Sequence, residues 1–205
     1  MIVCKEISFE DDMPWDDLIE KSSTVSFFQT KEWLTLWIQH FPIEVKILGV
    51  FEGEELIGFA PFSIVDQTVN FLGTTPVLGG ELVSDFGDIV AKISSEKKVW
   101  QEILAKVKNQ KSKIKSIIFN FIREDSPSFE ILKNLGGKAE EVDIAPYVDL
   151  PNTWEEYLSS LDRHDRHEMK RKTRKRESEN VLTVYSENIT SDTNEFFRLM
   201  ALSSF

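Results

Sequence analysis

Apolar positions along this chain alternate between two spacings, and the changes of spacing mark its elements. Trp33, Leu34, Trp37, Ile38 and Phe41 recur at helical spacing behind Thr30, a residue able to cap a helix start, and Pro42 follows. This predicts an amphipathic helix with two buried indoles. Glu44 to Phe51 and Leu56 to Val65 are β-rich runs separated by Glu52-Gly53-Glu54-Glu55, which predicts a hairpin. Thr68 to Leu72 reads as a third strand of the same meander. Gly73 to Gly80, with three glycines and a proline in eight residues, reads as a loop.

Helical spacing returns at Ser94 to Lys108, where Val99, Trp100, Ile103, Leu104 and Val107 share one face. Ile114 to Ile122 is β-prone. Ser126-Pro127 then opens a short helix burying Phe129, Ile131, Leu132 and Leu135, and Gly136-Gly137 closes it. Val142 to Leu150 reads as a further strand. The order of elements predicts an α/β fold, a mixed sheet with helices packed against it, over residues 1–150.

From Pro151 the character of the chain changes, so residues 151–205 are expected to open a second domain. Thr153-Trp154-Glu155-Glu156 has the form of a capping box, with Trp154, Tyr157, Leu158 and Leu161 as the apolar stripe behind it. Asp162 is placed to cap a second helix, in which Arg163, Arg166, His167, Lys170 and Arg174 lie on one side. Asp165, Glu168, Met169, Lys172 and Arg176 make the other side mixed. Val181 to Tyr185 reads as a strand and Glu195 to Leu202 as an apolar helix. That helix runs towards Phe205 without a capping residue, the pattern expected of a truncated domain.

Composition narrows the function classes. With 41% apolar residues in 205, the chain can bury a core, and its longest apolar run, Leu56 to Phe62, is far short of the roughly 20 residues that cross a bilayer. Charges follow Met1-Ile2-Val3-Cys4 at once, leaving no room for a signal peptide, and the single cysteine permits no internal disulfide, so a cytoplasmic location is expected. Cys4, near the terminus, is assigned no basic partner that would activate it and reads as inert. The net charge of −11 argues against general affinity for nucleic acid, yet it conceals a reversal. Arg163 to Arg176 holds eight basic and two acidic residues, +6 locally, leaving −17 on the remainder. Such a block either docks an anion or faces acidic surface.

Several stretches, taken in order, resemble a known family. Phe28-Gln29-Thr30 with Trp33 and Trp37, Gly53 through Gly58 to Pro61-Phe62, Phe71-Leu72-Gly73 and Ser84-Asp85-Phe86-Gly87-Asp88 resemble the first half of bacterial GNAT-superfamily proteins with a Fem-like double fold. These are often labelled cellulose-biosynthesis-type acetyltransferases. Pro146-Tyr147-Val148-Asp149-Leu150-Pro151, Thr153 to Leu161 and the Arg166 to Arg176 helix resemble the opening of that family's second half. The resemblance implies two GNAT-like α/β domains, the second truncated here, and acyl transfer from a carrier such as acetyl-CoA to an amine or hydroxyl acceptor. It also implies a small-molecule or cell-envelope precursor as acceptor. GNAT enzymes hold the carrier's pyrophosphate on an Arg/Gln-x-x-Gly-x-Gly/Ala turn opening a helix, where free N–H groups and the helix dipole favour an anion. The one near-match, Glu55-Leu56-Ile57-Gly58-Phe59-Ala60, begins with an anion and falls in an expected strand. The working loop is therefore expected outside this chain.

Candidate site residues follow from chemistry as well. Arg166, Lys170 and Arg174 could hold a phosphate-bearing substrate, since guanidinium forks bind phosphate in bidentate fashion. A solvated or domain-bridging helix explains the same stripe. Asp85 and Asp88, flanking Phe86-Gly87, could line a cleft as base or acceptor, with Phe86 in contact with the substrate; an Asx turn is the plainer reading of a loop aspartate. No residue is assigned as the catalytic base. His164 and His167 are three apart among cations, which disfavours a metal site. A different class of function is also open: a non-catalytic module whose basic helix docks an acidic partner or nucleic acid. Its lack of aromatics within the basic block and the acidic remainder disfavour nucleic acid.

Overall fold

A computed structural model describes residues 1–74, 84–109, 114–179 and 189–203. The chain divides into two compact units, Met1–Ile144 and Ala145–Phe205. The first is a mixed α/β unit built on a sheet in the order β1 (Ile2–Ile7), β2 (Glu44–Glu52), β3 (Glu55–Val65), β4 (Thr68–Phe71), β6 (Ser116–Ile117). Every pairing is antiparallel except β4 with β6. The short β5 (Val90–Ala91) pairs with the first half of β3, while β4 takes its second half. The hairpin predicted at Gly53 is present: Glu52 and Glu55 pair across a two-residue turn in which Gly53 carries φ +66°.

Helices cover both faces of this sheet, which explains why β2 and β3 read as continuous apolar runs instead of alternating ones. On one face Leu48, Val50, Ile57, Ala60, Phe62, Val69 and Phe71 pack with Val99, Trp100, Ile103 and Val107 of α3 (Glu96–Lys108). On the other, Ile47, Phe51, Leu56 and Phe59 pack with Trp15 and Leu18 of α1 (Trp15–Glu20) and with Leu34 and Trp37 of α2 (Lys31–His40). A register shift opposite Val50 and Phe51 leaves Ile57 as an extra residue in β3, and this bulge turns Ile57 and Gly58 towards α3 together. The helix α4 (Pro127–Asn134) starts on Ser126, whose hydroxyl accepts from the Ser128 N–H, and ends as anticipated at the glycine pair. Gly136 N–H donates to Lys133 O at 3.1 Å and Gly137 N–H to Leu132 O at 2.9 Å, with Gly136 at φ +93°.

Four sequence expectations need correction here. Trp37 is buried, but Trp33 of the same helix is half-buried and Ile38 is exposed, so the apolar stripe is narrower than its spacing suggested. Of the β-prone run Ile114 to Ile122, only Ser116–Ile117 joins the ladder, because Phe121 adopts φ +61° and turns the backbone away. Phe129, Ile131, Leu132 and Leu135 of the fourth helix segment are half-buried, each reaching the edge of the core and not its interior. Val142 to Leu150 forms no strand: alternating side chains need a partner to pack on, and Val142, Ile144, Tyr147 and Leu150 are all exposed. β1 and α1, unmarked by any strong periodicity, were not anticipated.

The second unit holds α5 (Trp154–Ser160), α6 (Arg163–Ser178) and α7 (Ile189–Ser203). Its capping signals are realised. Thr153 Oγ1 accepts from the Glu156 N–H and the Glu156 carboxylate accepts from the Thr153 N–H, both at 3.2 Å, while Asp162 Oδ1 accepts from the Asp165 N–H at 2.8 Å. α7 starts six residues earlier than the helix read at Glu195, and Phe196, Phe197 and Leu199 on it are exposed. The expected strand Val181 to Tyr185 lies outside the described residues.

The tight approach of α3 to β3 makes a prediction. A Cβ at Gly58 would stand 2.7 Å from Val99 Cγ2 and 2.9 Å from the Val90 carbonyl oxygen, and the latter is backbone that cannot rotate aside. Gly58→Ala should therefore cost about 1–3 kcal/mol of stability in urea unfolding, as overpacked cores do. An unchanged midpoint would show that α3 is free to shift.

Candidate functional site

The segment Ser84 to Ile89 runs beside the 3₁₀ turn Phe27–Gln29 and the start of α4, and the stretches quoted for the family resemblance meet there. Ser26 and Gln29 close the turn on themselves: Gln29 Oε1 accepts from the Ser26 N–H and hydroxyl, both at 2.7 Å. That leaves the Gln29 amide NH₂ to donate to Phe86 O at 2.9 Å. Trp33 Nε1 donates to Ser84 Oγ at 3.0 Å, which is why this indole stops at half burial. The rings of Phe28 and Phe86 meet edge to face at 6.1 Å. Gly87 is packed so closely that a Cβ would lie 2.7 Å from Thr74 Cγ2 and 3.0 Å from Asn120 O. No other residue fits there without displacing backbone.

Ser26, Phe86 and Gly87 line a cleft of about 60 Å³, room for one small group, together with Ser23, Thr24, Asp88, Arg123, Asp125 and Ser126. Asp88 is the carboxylate at its floor and is 5% exposed. It accepts three hydrogen bonds: from Ser126 Oγ at 2.6 Å, Ser128 Oγ at 2.5 Å and the Ile89 N–H at 2.7 Å. Ser128 Oγ in turn accepts from Trp100 Nε1 at 2.8 Å, so a chain of donors runs from the core helix α3 to the carboxylate. Burial pushes the Asp88 carboxyl up to about 6, against the lowering pull of the Ser126 and Ser128 hydroxyls, the Ile89 N–H and the nearby Arg123 charge. Arg123 is held in a two-pronged pair with Asp125, Nε to Oδ1 at 2.9 Å and Nη2 to Oδ2 at 2.5 Å, and lies 5.7 Å over the Phe86 ring.

The sequence-derived candidates separate accordingly. Phe86 and Asp88 line the cleft, whereas Asp85 is exposed. Arg166, Lys170 and Arg174 all belong to α6 in the second unit. Lys170 and Arg174 are exposed, but Arg166 is turned inward: its Nη2 donates to Leu161 O at 2.8 Å and Ser159 O at 3.4 Å. It thus caps the last turn of α5, a structural duty that the charge pattern did not reveal. Arg171 is engaged as well, by both Glu168 carboxylate oxygens at 2.9 Å. Hydroxyl residues Thr24, Ser26, Ser126 and Ser128 were missed as site residues. The N-cap pattern Ser126-Pro127 marks Ser126 and, two residues on, Ser128, whereas no sequence pattern marks Thr24.

The near-match to a pyrophosphate turn is not such a turn. Glu55 to Ala60 is part of β3, whose register runs against β2 on one side and β5 on the other at Gly58 and Phe59, so its backbone is taken up in a sheet and opens no helix. Cys4 is half-buried, and burial raises its thiol to about 11, too high for a nucleophile at neutral pH. Among the described residues no three His, Cys, Asp or Glu side chains cluster as metal ligands, and no helix is long and apolar enough to cross a membrane.

No family model and no curated protein matches the chain. Among solved structures it is similar to an aminoglycoside acetyltransferase from an uncultured soil metagenomic sample, in complexes with trehalose and with sisomicin, at 9% identity over 73% of this chain and 97% of that one, TM-score 0.41. It is also similar to a possible acetyltransferase from Clostridium difficile 630, at 10% identity over 74% and 99%, TM-score 0.43. Likeness of this degree fixes neither fold nor chemistry, and both rest on the residues above.

Two predictions follow from the site's electrostatics. A carboxyl at about 6 when folded and near 3.8 when unfolded contributes stability that is fully present below the unfolded value and lost as pH rises through the folded one. Urea midpoints should fall between pH 4 and 7 by an amount on the order of 3 kcal/mol more than in Asp88→Asn, which has no proton to lose. Parallel profiles for the two proteins would remove Asp88 from the account. In the second unit, Arg166→Gln should reduce far-ultraviolet helicity by fraying α5, whereas Lys170→Gln should leave it unchanged; equal spectra would show that the carbonyl contacts hold nothing.

Proposed function

We propose that this chain is the acceptor-recognising portion of a GNAT-like acyltransferase, with acetyl-CoA or a related thioester as donor and an amine or hydroxyl compound as acceptor. One observation carries the reading: Phe28 and Gln29 contact Phe86, and Trp33 contacts Ser84, across more than 50 positions of sequence, and within that second segment Phe86 and Asp88 line a single cleft. These residues are among those on which the family resemblance rests. A conformationally locked cleft with one buried carboxylate suits holding an acceptor for attack, which is most of what direct acyl transfer asks of a protein.

The donor's pyrophosphate loop is proposed to lie outside this chain. Lys170 and Arg174 are exposed cations of the α6 stripe, with Arg174 Nε donating to Lys170 O at 3.2 Å, and are proposed to meet a phosphate-bearing ligand, a small molecule or a cell-envelope precursor. Asp85, which is exposed, is proposed to contact the acceptor within the first unit.

Calorimetric titration of the purified chain with acetyl-CoA should give no heat of binding in the micromolar range, while titration with acceptor candidates should give heat that Phe86→Ala abolishes. Micromolar affinity for acetyl-CoA would overturn the division of labour proposed here. In the same experiment Lys170→Gln together with Arg174→Gln should weaken phosphate-bearing candidates alone and leave the unfolding midpoint within about 1 kcal/mol, since exposed charges contribute little to stability.

A further inference from the structure

The direction of the hydrogen bonds around the cleft decides what can enter it. Each hydroxyl hydrogen on its wall is already committed to a protein acceptor: Ser23 to Glu96 Oε1 at 2.7 Å, Thr24 to Ile89 O at 2.6 Å, Ser26 to Gln29 Oε1 at 2.7 Å and Ser126 to Asp88 Oδ2 at 2.6 Å. The Gly87 N–H is spent on Phe121 O at 3.2 Å. What these groups retain is acceptor capacity: Thr24, Ser26 and Ser126 already accept from the Ser22 hydroxyl, the Phe28 N–H and the Ser128 N–H, which leaves each of these oxygens one of its two lone pairs, and Asp88 uses three of about four. The cation on the rim, Arg123, is balanced by Asp125.

We propose that this cleft is an anchoring subsite for a primary ammonium group, held by Asp88 and by the oxygens of Ser23, Thr24, Ser26 and Ser126. An ammonium brings three donors and a positive charge in the space of one water, which matches a wall of acceptors around one buried carboxylate in about 60 Å³, the other lining carboxylate, Asp125, being paired with Arg123. The nitrogen held there is not the one acylated. Attack on a thioester needs the free lone pair of a neutral amine, and a carboxylate at hydrogen-bond distance keeps the proton on. The ligand therefore carries an ammonium group besides the amine or hydroxyl that reacts. This identification of the ligand as acceptor rests on the function proposed above; the binding itself does not.

The charged groups on the elements around Asp88 are Arg123 and Asp125 before α4, Glu96 at the start of α3, and Asp85 upstream. Arg123 and Asp125 pair with each other and Glu96 accepts from Ser23, so the Asp88 proton is the one that governs the cleft. The test is titration of the ¹⁵N-labelled chain with n-propylammonium chloride, followed through the amides of Gly87, Ile89 and Ser126. Saturable shifts are expected at pH 7.5, with affinity about tenfold or more weaker at about pH 4.5, where Asp88 is protonated and a charge-assisted bond is lost. Tetramethylammonium, with the same charge and no N–H, should give none, and neither should neutral 1,2-propanediol. Absence of saturable propylammonium shifts, equal shifts with tetramethylammonium, or affinity independent of pH would each overturn the subsite. Asp88→Asn should abolish the shifts, and if it does not fold, Ser23→Ala, at the cleft's edge, should weaken them instead. Intact propylammonium binding in a chain that also binds acetyl-CoA would defeat the functional reading while leaving the subsite standing.

Discussion

Burial of β3 on both faces is the constraint from which the first unit follows. Phe59 and Leu56 face α1 and α2, and Ile57, Ala60 and Phe62 face α3, so a strand of eleven residues has no side open to water for most of its length. Its backbone must then be satisfied by neighbours, because unpaired buried N–H and C=O groups are costly. β2 supplies one edge throughout, and β4 and β5 divide the other between them. That division explains the placement of the cleft. Pairing of Gly58 and Phe59 with Ala91 and Val90 draws the preceding residues, Phe86 to Ile89, against the 3₁₀ turn and the start of α4.

A carboxylate buried there is tolerable only because its hydrogen bonds are complete. Asp88 takes donors from Ser126 and Ser128 and from the Ile89 N–H, and Trp100 reaches Ser128 from the core. The network does two things at once. It locks α3, α4 and the Phe86 to Ile89 segment into one geometry, and it points every wall hydroxyl at the protein instead of at a ligand. The raised pKa records what remains of the desolvation penalty after these bonds form. Phe121, forced to positive φ where its carbonyl receives the Gly87 N–H, shows where the backbone bends to close the cleft.

The second unit works by different means. α6 is too polar to be held by burial, so its geometry depends on caps and local pairs: Asp162 at its start, Arg171 on Glu168, and Arg166 reaching back to the carbonyls of Ser159 and Leu161. Such pairs are individually weak and screened by salt. Several apolar residues of this unit are exposed, Trp154, Tyr147 and Phe196 among them, while Tyr157, Leu158 and Leu161 are half-buried.

Local chemistry was legible in the sequence wherever a neighbour within about four residues decides the outcome. The Thr153 capping box, the Thr30 and Asp162 caps, the Gly53 hairpin and the Gly136-Gly137 closure all form as their residue types require. The mixed α/β architecture over the first unit was legible too, because apolar periodicity reports which face each element buries. Tertiary structure alone decided the rest. Whether Val142 to Leu150 becomes a strand depends on a partner backbone that no side-chain pattern specifies, and it does not. Asp85 and Asp88, three residues apart and alike in composition, end on the surface and in the core respectively. Arg166 and Lys170, alike in charge, end on a helix terminus and in solvent. For the aspartates the difference lies in a long-range contact, Ser128 with Asp88 across 40 residues, and for Arg166 in carbonyls five and seven residues back across the turn between two helices; neither kind of contact leaves a periodicity for a sequence to display.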